Sequence, residues 1–334
     1  MSTRILIIIS ALTLLSVVGA KPIGKRALKL VERQLLENWK HSVSADDFKG
    51  KERFLIECDN EELLSYLTVK RRVWKGVEPG TINAELREKT LELIQQWPSE
   101  IQRYLNSHVA EIFIVRNFGA SGYILTTDNN RFTILVDESV VVMKPNEWFR
   151  MKEGTVVDLE SSDVQLLHRI EKDSVDLPER LLEGILIHEL AHCIGISEGW
   201  HTAVDGNKDL MKDLSLFDGV FDETETRLKM KSEIREKFRQ LRYYQQKEKL
   251  TLQQYQELLE KLPQSPFPTL YATVSDLEFF AEYFYTYVHC IVQKRPLNYT
   301  LVSGKDTLLN INSPINSSLN IERVEIIQSS LSRL

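Results

Sequence analysis

The stretch ILIHELAHCI, residues 185–194, decides the fold that we predict for this chain. Read as a helix, it places His188 and His192 four residues apart, one above the other on the same face. Two imidazoles in that arrangement can bind one zinc ion, and the neighbouring Glu189 can reach a water molecule on that ion. The pattern H-E-x-x-H is typical of metal-dependent hydrolases, most of which are peptidases.

The residues around this motif strengthen the prediction. Between residues 181 and 196 every position is apolar or glycine except Glu183, His188, Glu189 and His192. A helix that is apolar on all sides is a buried helix, and polar groups buried in it need partners. A bound metal ion would satisfy both histidines and the carboxylate at once. The alternative is a core helix with two hydrogen-bonded histidines and a glutamate at the surface.

Length, composition and charge set broad limits. The chain has 334 residues, of which 43% are hydrophobic and 27% are charged, and its net charge is -6. These values are ordinary for a globular protein of one or two domains. The Lys and Arg residues are spread along the chain, so we expect no nucleic-acid partner.

The first twenty residues read as a signal peptide. Arg4 provides a positive charge, residues 5–18 are apolar, and Val18-Gly19-Ala20 forms a small-residue cleavage site. We therefore expect a secreted or periplasmic protein that begins near Lys21, with no stable membrane span after cleavage. An uncleaved membrane anchor is the alternative.

The three cysteines, Cys58, Cys193 and Cys290, do not form a disulfide framework. An odd number leaves at least one thiol unpaired within the chain, and the sequence does not select a pair. A further hypothesis is that Cys58 caps the zinc ion in a latent form of the protein.

The order of predicted elements gives an α+β fold. Apolar spacing predicts helices over residues 25–50, 61–72, 82–97 and 98–109, and β-rich runs predict strands over 112–115, 123–125, 132–136 and 140–142. The turn at residues 128–130 predicts that the strands on either side of it form a hairpin. We expect a zincin-like metalloprotease fold with a small mixed sheet, the H-E-x-x-H helix and a helical C-terminal subdomain. An extended substrate would pair with an edge strand near the metal, and Phe132–Val136 or Val140–Val142 are the candidates.

The predicted organisation has four parts. They are a signal peptide (1–20), a helical N-terminal region (21–80), a zincin-like metallopeptidase domain (81–295) with a charged helical insertion at about 222–262, and a polar C-terminal tail (296–334) to which we assign no function. Leu228 belongs to an apolar helical stripe of the insertion, and the tail contains short β-like runs such as Val324–Ile327.

A third zinc ligand is expected in the aromatic stretch 271–284. Ser275 is a plausible helix N-cap, and Glu278 could be its capping-box partner. However, Glu278 and Glu282 are four residues apart in a helix otherwise rich in Phe and Tyr, where two aligned carboxylates need a cation or strong donors. We therefore predict that Glu278 binds zinc and that Glu282 accepts the free ring N–H of a zinc-bound histidine.

These motifs together resemble a known family. The segment His188-Glu189-Leu190-Ala191-His192, followed by Tyr271 and then by Glu278-Phe279-Phe280-Ala281-Glu282, is similar to the catalytic domain of anthrax lethal factor and its relatives. Those proteins are zincins whose third ligand is a glutamate (gluzincins). The resemblance covers about residues 85–290 loosely and the two short motifs closely, and the long charged insertion between the motifs departs from it.

The resemblance implies a role for each site residue. It implies zinc ligands His188, His192 and Glu278, general base Glu189, transition-state stabiliser Tyr271, and Glu282 as the partner of a ligand histidine. It also implies a toxin or virulence effector as one role for such an enzyme.

A second metal hypothesis uses the residues that follow the motif. Gly195 matches the glycine of the longer pattern H-E-x-x-H-x-x-G-x-x-H, Glu198 stands where its third histidine is expected, and Met211 could form a Met-turn. This metzincin-type site would leave the Glu278 helix without a role. His201 is another conceivable ligand and is more typical of a surface loop.

The sequence therefore predicts an exported zinc-dependent endopeptidase that acts on a protein or peptide substrate. The alternative from a different class is an exported binding protein with a structural or vestigial metal site. A structural zinc site normally has four protein ligands, and the sequence offers no evident fourth.

Overall fold

A computed structural model describes residues 25–42, 51–71, 76–127, 131–159, 162–200, 214–224, 228–244 and 249–334. The predicted signal peptide at 1–20, His201 and Met211 lie outside these ranges. Within them the fold is mixed α and β with a small mixed sheet. No described helix combines the length and the apolar character that a bilayer crossing requires.

The helices and strands are numbered here in chain order. The helices are α1 Lys25–Ser42, α2 Glu61–Arg71, α3 Ala84–Ile94, α4 Ser99–His108, α5 Glu138–Val141, α6 Pro145–Gly154, α7 Pro178–Ser197, α8 Ser232–Phe238, α9 Leu252–Lys261, α10 Asp276–Thr286 and α11 Ile321–Leu331. The strands are β1 Phe54–Glu57, β2 Glu78–Pro79, β3 Val109–Arg116, β4 Gly122–Thr126, β5 Phe132–Asp137, β6 Val164–Leu166, β7 Phe221–Glu223, β8 Leu228–Met230, β9 Asn298–Ser303 and β10 Asp306–Asn312.

The described residues form two compact units. The first unit consists of those in Met1–Ala84 and Val109–Ser139, and the second consists of those in Glu85–His108 and Val140–Leu334. The turn that we considered as a boundary near residue 80 contains β2, which pairs with Val115 and Arg116 of β3. This pairing joins the N-terminal helices and the strands of the sheet in one unit.

The first unit is a mixed sheet covered by helices. Its strand order is β1-β3-β5-β4, with β3 parallel to β1 and β5, and β4 antiparallel to β5. The predicted hairpin of β4 and β5 is therefore confirmed, although its turn residues 128–130 lie outside the described ranges. Trp39, Leu63 and Leu67 of the helices form one buried cluster with Phe113 and Leu135 of the sheet.

Two predictions about an edge strand are wrong. Strand β5, which contains Phe132–Val136, lies between β3 and β4, so its main-chain groups already have partners on both sides. Val140–Val142 is not a strand, because α5 follows β5 directly. The carboxylate of Asp137 accepts the N–H groups of Ser139 (2.8 Å) and Phe118 (2.7 Å), which ends the strand and starts a helical turn. A short β-branched run after an aspartate therefore became helical.

The second unit is organised by α7 and α10, which pack against each other. The ring of Phe279 on α10 lies 5.7 Å from Phe217, 5.3 Å from Phe221 and 5.7 Å from Phe267. Aromatic pairs at these separations stabilise a core beyond the area that they bury. Residues on both sides of the charged insertion are therefore packed against the helix that carries Glu278.

The predicted helical character of the insertion is confirmed only in part. Helices α8 and α9 lie within it, but its first residues form the antiparallel hairpin of β7 and β8. Leu228, which we assigned to a helical stripe, lies on β8. Helix α9 begins with a capping box in which the Thr251 hydroxyl accepts the N–H of Gln254.

The C-terminal residues are an integral part of the second unit. Strand β9 pairs with both β6 and β10, and Tyr299 on β9 is fully buried. The β-like run Val324–Ile327 belongs to α11, so its prediction as a strand is wrong. Val324, Ile327 and Leu331 are buried at a spacing of three and four residues, which is the period of a helix.

Replacing Gly80 with alanine is expected to destabilise the first unit by about 1–3 kcal/mol. A Cβ atom at Gly80 would lie 2.8 Å from the carbonyl carbon of Val115 and 2.9 Å from Cγ2 of Ile114, where backbone must move to make room. The free energy of unfolding from urea titration measures the effect. Gly154→Ala is the control, because nothing lies within 4 Å of its added Cβ. Equal stability of both variants would contradict the close approach.

Candidate metal centre

Helix α7 presents the H-E-x-x-H motif from a buried position. It begins at Pro178, whose fixed φ suits a first helical turn, and ends at Ser197 with Glu198 as its C-cap residue. Glu183, one of its few polar residues, is buried and receives hydrogen bonds from Trp97 Nε1 (3.0 Å) and Gln293 Nε2 (2.8 Å). Glu183 also forms ion pairs with Arg295 at 2.7 Å and with Arg180 at 3.2 Å. The rest of the helix is fixed by apolar packing, so the histidines project from a rigid support.

The two histidines lie side by side as their spacing predicts. Their ring centroids are 5.0 Å apart and their planes are nearly perpendicular at 84°. His188 Nε2 faces Glu278, while His188 Nδ1 faces Glu282, at 3.2 Å and 3.3 Å respectively. The two nitrogens of one ring therefore meet two different carboxylates.

Helix α10 supplies those two carboxylates. The Ser275 hydroxyl accepts the main-chain N–H of Glu278 at 3.1 Å, as expected for an N-cap. The cap therefore uses the main chain of Glu278, and its side chain extends to the histidines of α7. Ser275 is therefore the predicted N-cap, but the side chain of Glu278 is not its capping-box partner.

One ligand atom from each of His188, His192 and Glu278 can be chosen so that all three lie within 4.8 Å of one another. These three residues could therefore hold a metal ion. Glu278 Oε2 is buried and, despite its short distances to both imidazoles, has no hydrogen-bond donor among the described residues. A buried carboxylate oxygen without a donor is costly, and a cation between the three atoms would satisfy it. The donor set of two imidazoles and one carboxylate fits such a cation well.

Glu282 occupies the position of a partner to a ligand histidine. Its Oε1 lies 3.3 Å from His188 Nδ1, and its Oε2 accepts the Thr269 hydroxyl at 2.5 Å. Lys152 Nζ also contacts Oε1, at 3.5 Å. An acceptor at Nδ1 fixes the tautomer of His188 and directs Nε2 towards the metal position.

The electrostatics of the cluster favour a bound cation. Burial alone would raise the pKa of Glu282, but Lys152, His188 and Thr269 together lower it to about 2. Burial acts in the same way on Glu278, where His188 and His192 outweigh it and hold the pKa well below its usual range. Burial alone would lower the pKa of His188, but contacts with the carboxylates of Glu278 and Glu282 raise it to about 10. Both carboxylates are therefore charged at neutral pH in a shielded environment.

Glu189 and Tyr271 adjoin the same cluster. Burial raises the pKa of Glu189, although electrostatic interactions with His188 and His192 oppose the shift. A carboxylate with a raised pKa is suited to general-base chemistry near neutral pH. The ring of Tyr271 lies 6.2 Å from that of His188, and burial raises the pKa of its hydroxyl, which stays protonated as a donor. The structure thus brings all six predicted site residues into one region.

Residues that the sequence analysis missed lie directly behind the site. Lys152 Nζ stands over the ring of Tyr271, 3.7 Å from its centroid, and the Tyr243 ring packs edge-on against the same tyrosine at 4.9 Å. Both come from segments remote from Tyr271 in the chain. The charged run around Lys152 carried no motif that could have indicated a buried role.

A buried polar network continues behind these residues. The Thr300 N–H donates to His168 Nδ1 at 2.8 Å, so His168 Nε2 carries the proton and donates to the Tyr255 hydroxyl at 2.9 Å. Tyr255 and Tyr243 in turn donate to the carboxylate of Glu153, each at 2.9 Å. Burial raises the pKa of Glu153 to about 7, although Lys152 and the two hydroxyls oppose the shift.

Other candidates from the sequence are not part of this group. Glu198 caps the C-terminus of α7 and, among the described residues, does not belong to the set that could hold a metal. His201 and Met211, the other parts of the metzincin hypothesis, lie outside those residues. Cys58, Cys193 and Cys290 are all free thiols, and none of them belongs to the set.

Comparison with known proteins adds no family assignment. No protein-family model matches the chain, and no solved structure matches its fold significantly. The interpretation of the site therefore depends on its own residues and geometry.

Replacing Glu278 with alanine is expected to weaken zinc binding by more than roughly 100-fold, beyond the typical cost of losing only an outer partner of a ligand. Metal analysis after dialysis against a chelator measures the effect. Glu198→Ala is the matched control and should retain zinc. Loss of zinc from the Glu198 variant, with retention in the Glu278 variant, would overturn the ligand set in favour of the metzincin type.

Replacing Glu153 with glutamine is expected to flatten the pH dependence of stability. The pKa of this carboxyl is about 7 in the folded protein against an ordinary 4.5, so the folded state binds the proton more tightly. Its contribution is full below about pH 4.5 and is lost as pH rises through about 7, by up to about 3 kcal/mol. Urea unfolding of both proteins from pH 5 to 8 measures the difference. Parallel profiles would show that Glu153 does not titrate in this range.

Proposed function

We propose that this protein is an exported zinc-dependent endopeptidase that hydrolyses peptide bonds in a protein substrate. The convergence of His188, His192 and Glu278, with Glu189 and Tyr271 beside them, is the observation that carries the proposal. We further infer that the second unit is a zincin-like catalytic unit related to anthrax lethal factor, with a toxin or effector role. The two short motifs and the order of the site residues along the chain support that inference.

Zinc is the metal that this donor set favours. Two imidazoles and one carboxylate, with a fourth position left for water, are typical of catalytic zinc sites in peptidases. A structural zinc site is normally closed by four protein ligands, and the described residues supply three. The absence of a thiolate from the set argues in the same direction, since structural sites are dominated by cysteine.

The residues of the chain have distinct tasks in the proposed hydrolysis. When bound, zinc supplies Lewis acidity towards water and towards the substrate carbonyl. Glu189 accepts a proton from the attacking water on its carboxylate and returns it to the nitrogen of the leaving amine. The Tyr271 hydroxyl donates a hydrogen bond to the carbonyl oxygen as negative charge develops there. Glu282 keeps the His188 ring in the tautomer and orientation that the site needs.

The main alternative is a binding protein in which the metal only stabilises the fold. In such a protein Glu189 would be a buried carboxylate with a raised pKa and no function. Its burial would lower the stability of the fold without any compensating benefit. Tyr271, whose ring lies 6.2 Å from that of His188, would likewise have no function in such a protein. Residues held at this cost are typical of functional sites.

Replacing Glu189 with glutamine is expected to abolish peptide cleavage while zinc content stays complete. Glutamine keeps the shape of the side chain but cannot accept the proton, and loss of a general base lowers kcat by about 10²–10⁴-fold. A quenched peptide library and metal analysis on the same preparation measure both quantities. Cleavage at the wild-type rate would remove Glu189 from the mechanism. No cleavage by the zinc-loaded wild-type protein would favour the binding protein.

A further inference from the structure

We propose that Lys152 is a positioning residue of the metal centre, which holds Glu282 and Tyr271 in place and balances the charge of the loaded site. Its effect on the metal centre follows from the geometry of the cluster alone. Its effect on peptide hydrolysis rests on the function proposed above.

Lys152 is a buried cation with few but specific contacts. It lies on α6, and only 5% of its surface is exposed. Its Nζ is 3.5 Å from Glu282 Oε1, 3.7 Å from the ring centroid of Tyr271 and 5.1 Å from that of Trp148. A buried ammonium is retained only where an anion or an aromatic face compensates for the lost water. Lys152 has both, and both belong to the candidate metal centre.

The contact with Glu282 links Lys152 to a metal ligand. One oxygen of Glu282, Oε1, faces both Lys152 Nζ and His188 Nδ1. The other oxygen is held by the Thr269 hydroxyl, which itself accepts the N–H of Ala272. The carboxylate is therefore anchored at both ends, with Lys152 at the end that orients His188. Without the ammonium, Oε1 would lose its only described cationic partner other than the histidine.

The contact with Tyr271 links the same ammonium to the second functional side chain. The cation stands on the face of the ring, where attraction to the π electrons fixes the ring plane. Tyr243 closes the ring from another side by an edge-on contact. A single residue thus positions the partner of a ligand histidine and the proposed oxyanion donor together.

The charges around the site give Lys152 a second task. Glu189, Glu278 and Glu282 contribute -3 when ionised, a divalent cation contributes +2, and the sum is -1. Lys152 contributes +1 and brings the sum to zero. A net charge in a shielded environment is costly, so a neutral loaded site is the stable arrangement. The carboxylate of Glu153, the next residue, accepts hydrogen bonds from the hydroxyls of Tyr243 and Tyr255.

The test replaces Lys152 with methionine, which keeps the length of the side chain and removes its charge. Lys144→Met is the matched control, because Lys144 is exposed at the start of the same helix and its loss changes the net charge equally. Zinc affinity is measured by competition with a chromophoric chelator, and the ligand geometry by the visible spectrum of the Co²⁺-substituted protein. kcat and KM are measured on a peptide substrate.

We expect Lys152→Met to weaken zinc binding by about 10–100-fold and to change the Co²⁺ spectrum. kcat should fall by at least tenfold while KM changes less than threefold, because Tyr271 acts mainly on the transition state. Lys144→Met should match the wild type in all four quantities. Wild-type zinc affinity and an unchanged Co²⁺ spectrum in the Lys152 variant would overturn the proposal, whatever happens to activity.

A double variant keeps the test decisive if methionine disturbs packing. In a Glu282→Gln background the carboxylate is already neutral, so removing Lys152 should have little further effect on zinc affinity. Independent, additive effects of the two substitutions would overturn the link through Glu282. If the wild-type protein binds zinc but cleaves no peptide, the proposed function fails, whereas the metal measurements still decide the role of Lys152.

Discussion

The second unit depends on the cost of removing most of the surface of four polar side chains from water between two largely apolar helices. His188 and His192 on α7 face Glu278 and Glu282 on α10, and the surrounding residues are mostly apolar or aromatic. Charged groups in such a place are tolerated only when each has a partner. Hydrogen bonds and Lys152 satisfy Glu282, whereas Glu278 Oε2 lacks a donor among the described residues. A cation at that point completes the arrangement.

The residues behind the centre hold it rigid. Thr269 and Lys152 anchor Glu282, Tyr243 and Lys152 hold the ring of Tyr271, and Ser275 fixes the start of α10. Each of these contacts restricts a side chain that must keep its position to within a fraction of an ångström for efficient chemistry. The charged insertion and the polar tail contribute to the same support. The insertion provides Tyr243, which packs against Tyr271, and the tail provides the strand that carries Tyr299.

The sequence predicted the parts of the site whose signal is local. The spacing of His188 and His192, the cap at Ser275 and the hairpin of β4 and β5 each depend on residues a few positions apart. Lys152 was missed because Glu282 and Tyr271 lie far away in the chain, and Thr269 was missed because no periodic pattern connects it with Glu282. Val140–Val142 and Val324–Ile327 were predicted as strands because short apolar runs suit both kinds of structure. Neighbouring contacts, such as the Asp137 carboxylate, decide between them.

The coordination shell of the bound metal tests the central claim most directly. X-ray absorption at the zinc edge of the purified, zinc-loaded protein should show only nitrogen and oxygen neighbours at about 2.0–2.1 Å, including two imidazoles. A sulfur neighbour at about 2.3 Å, or a third imidazole, would contradict a centre built from His188, His192 and Glu278.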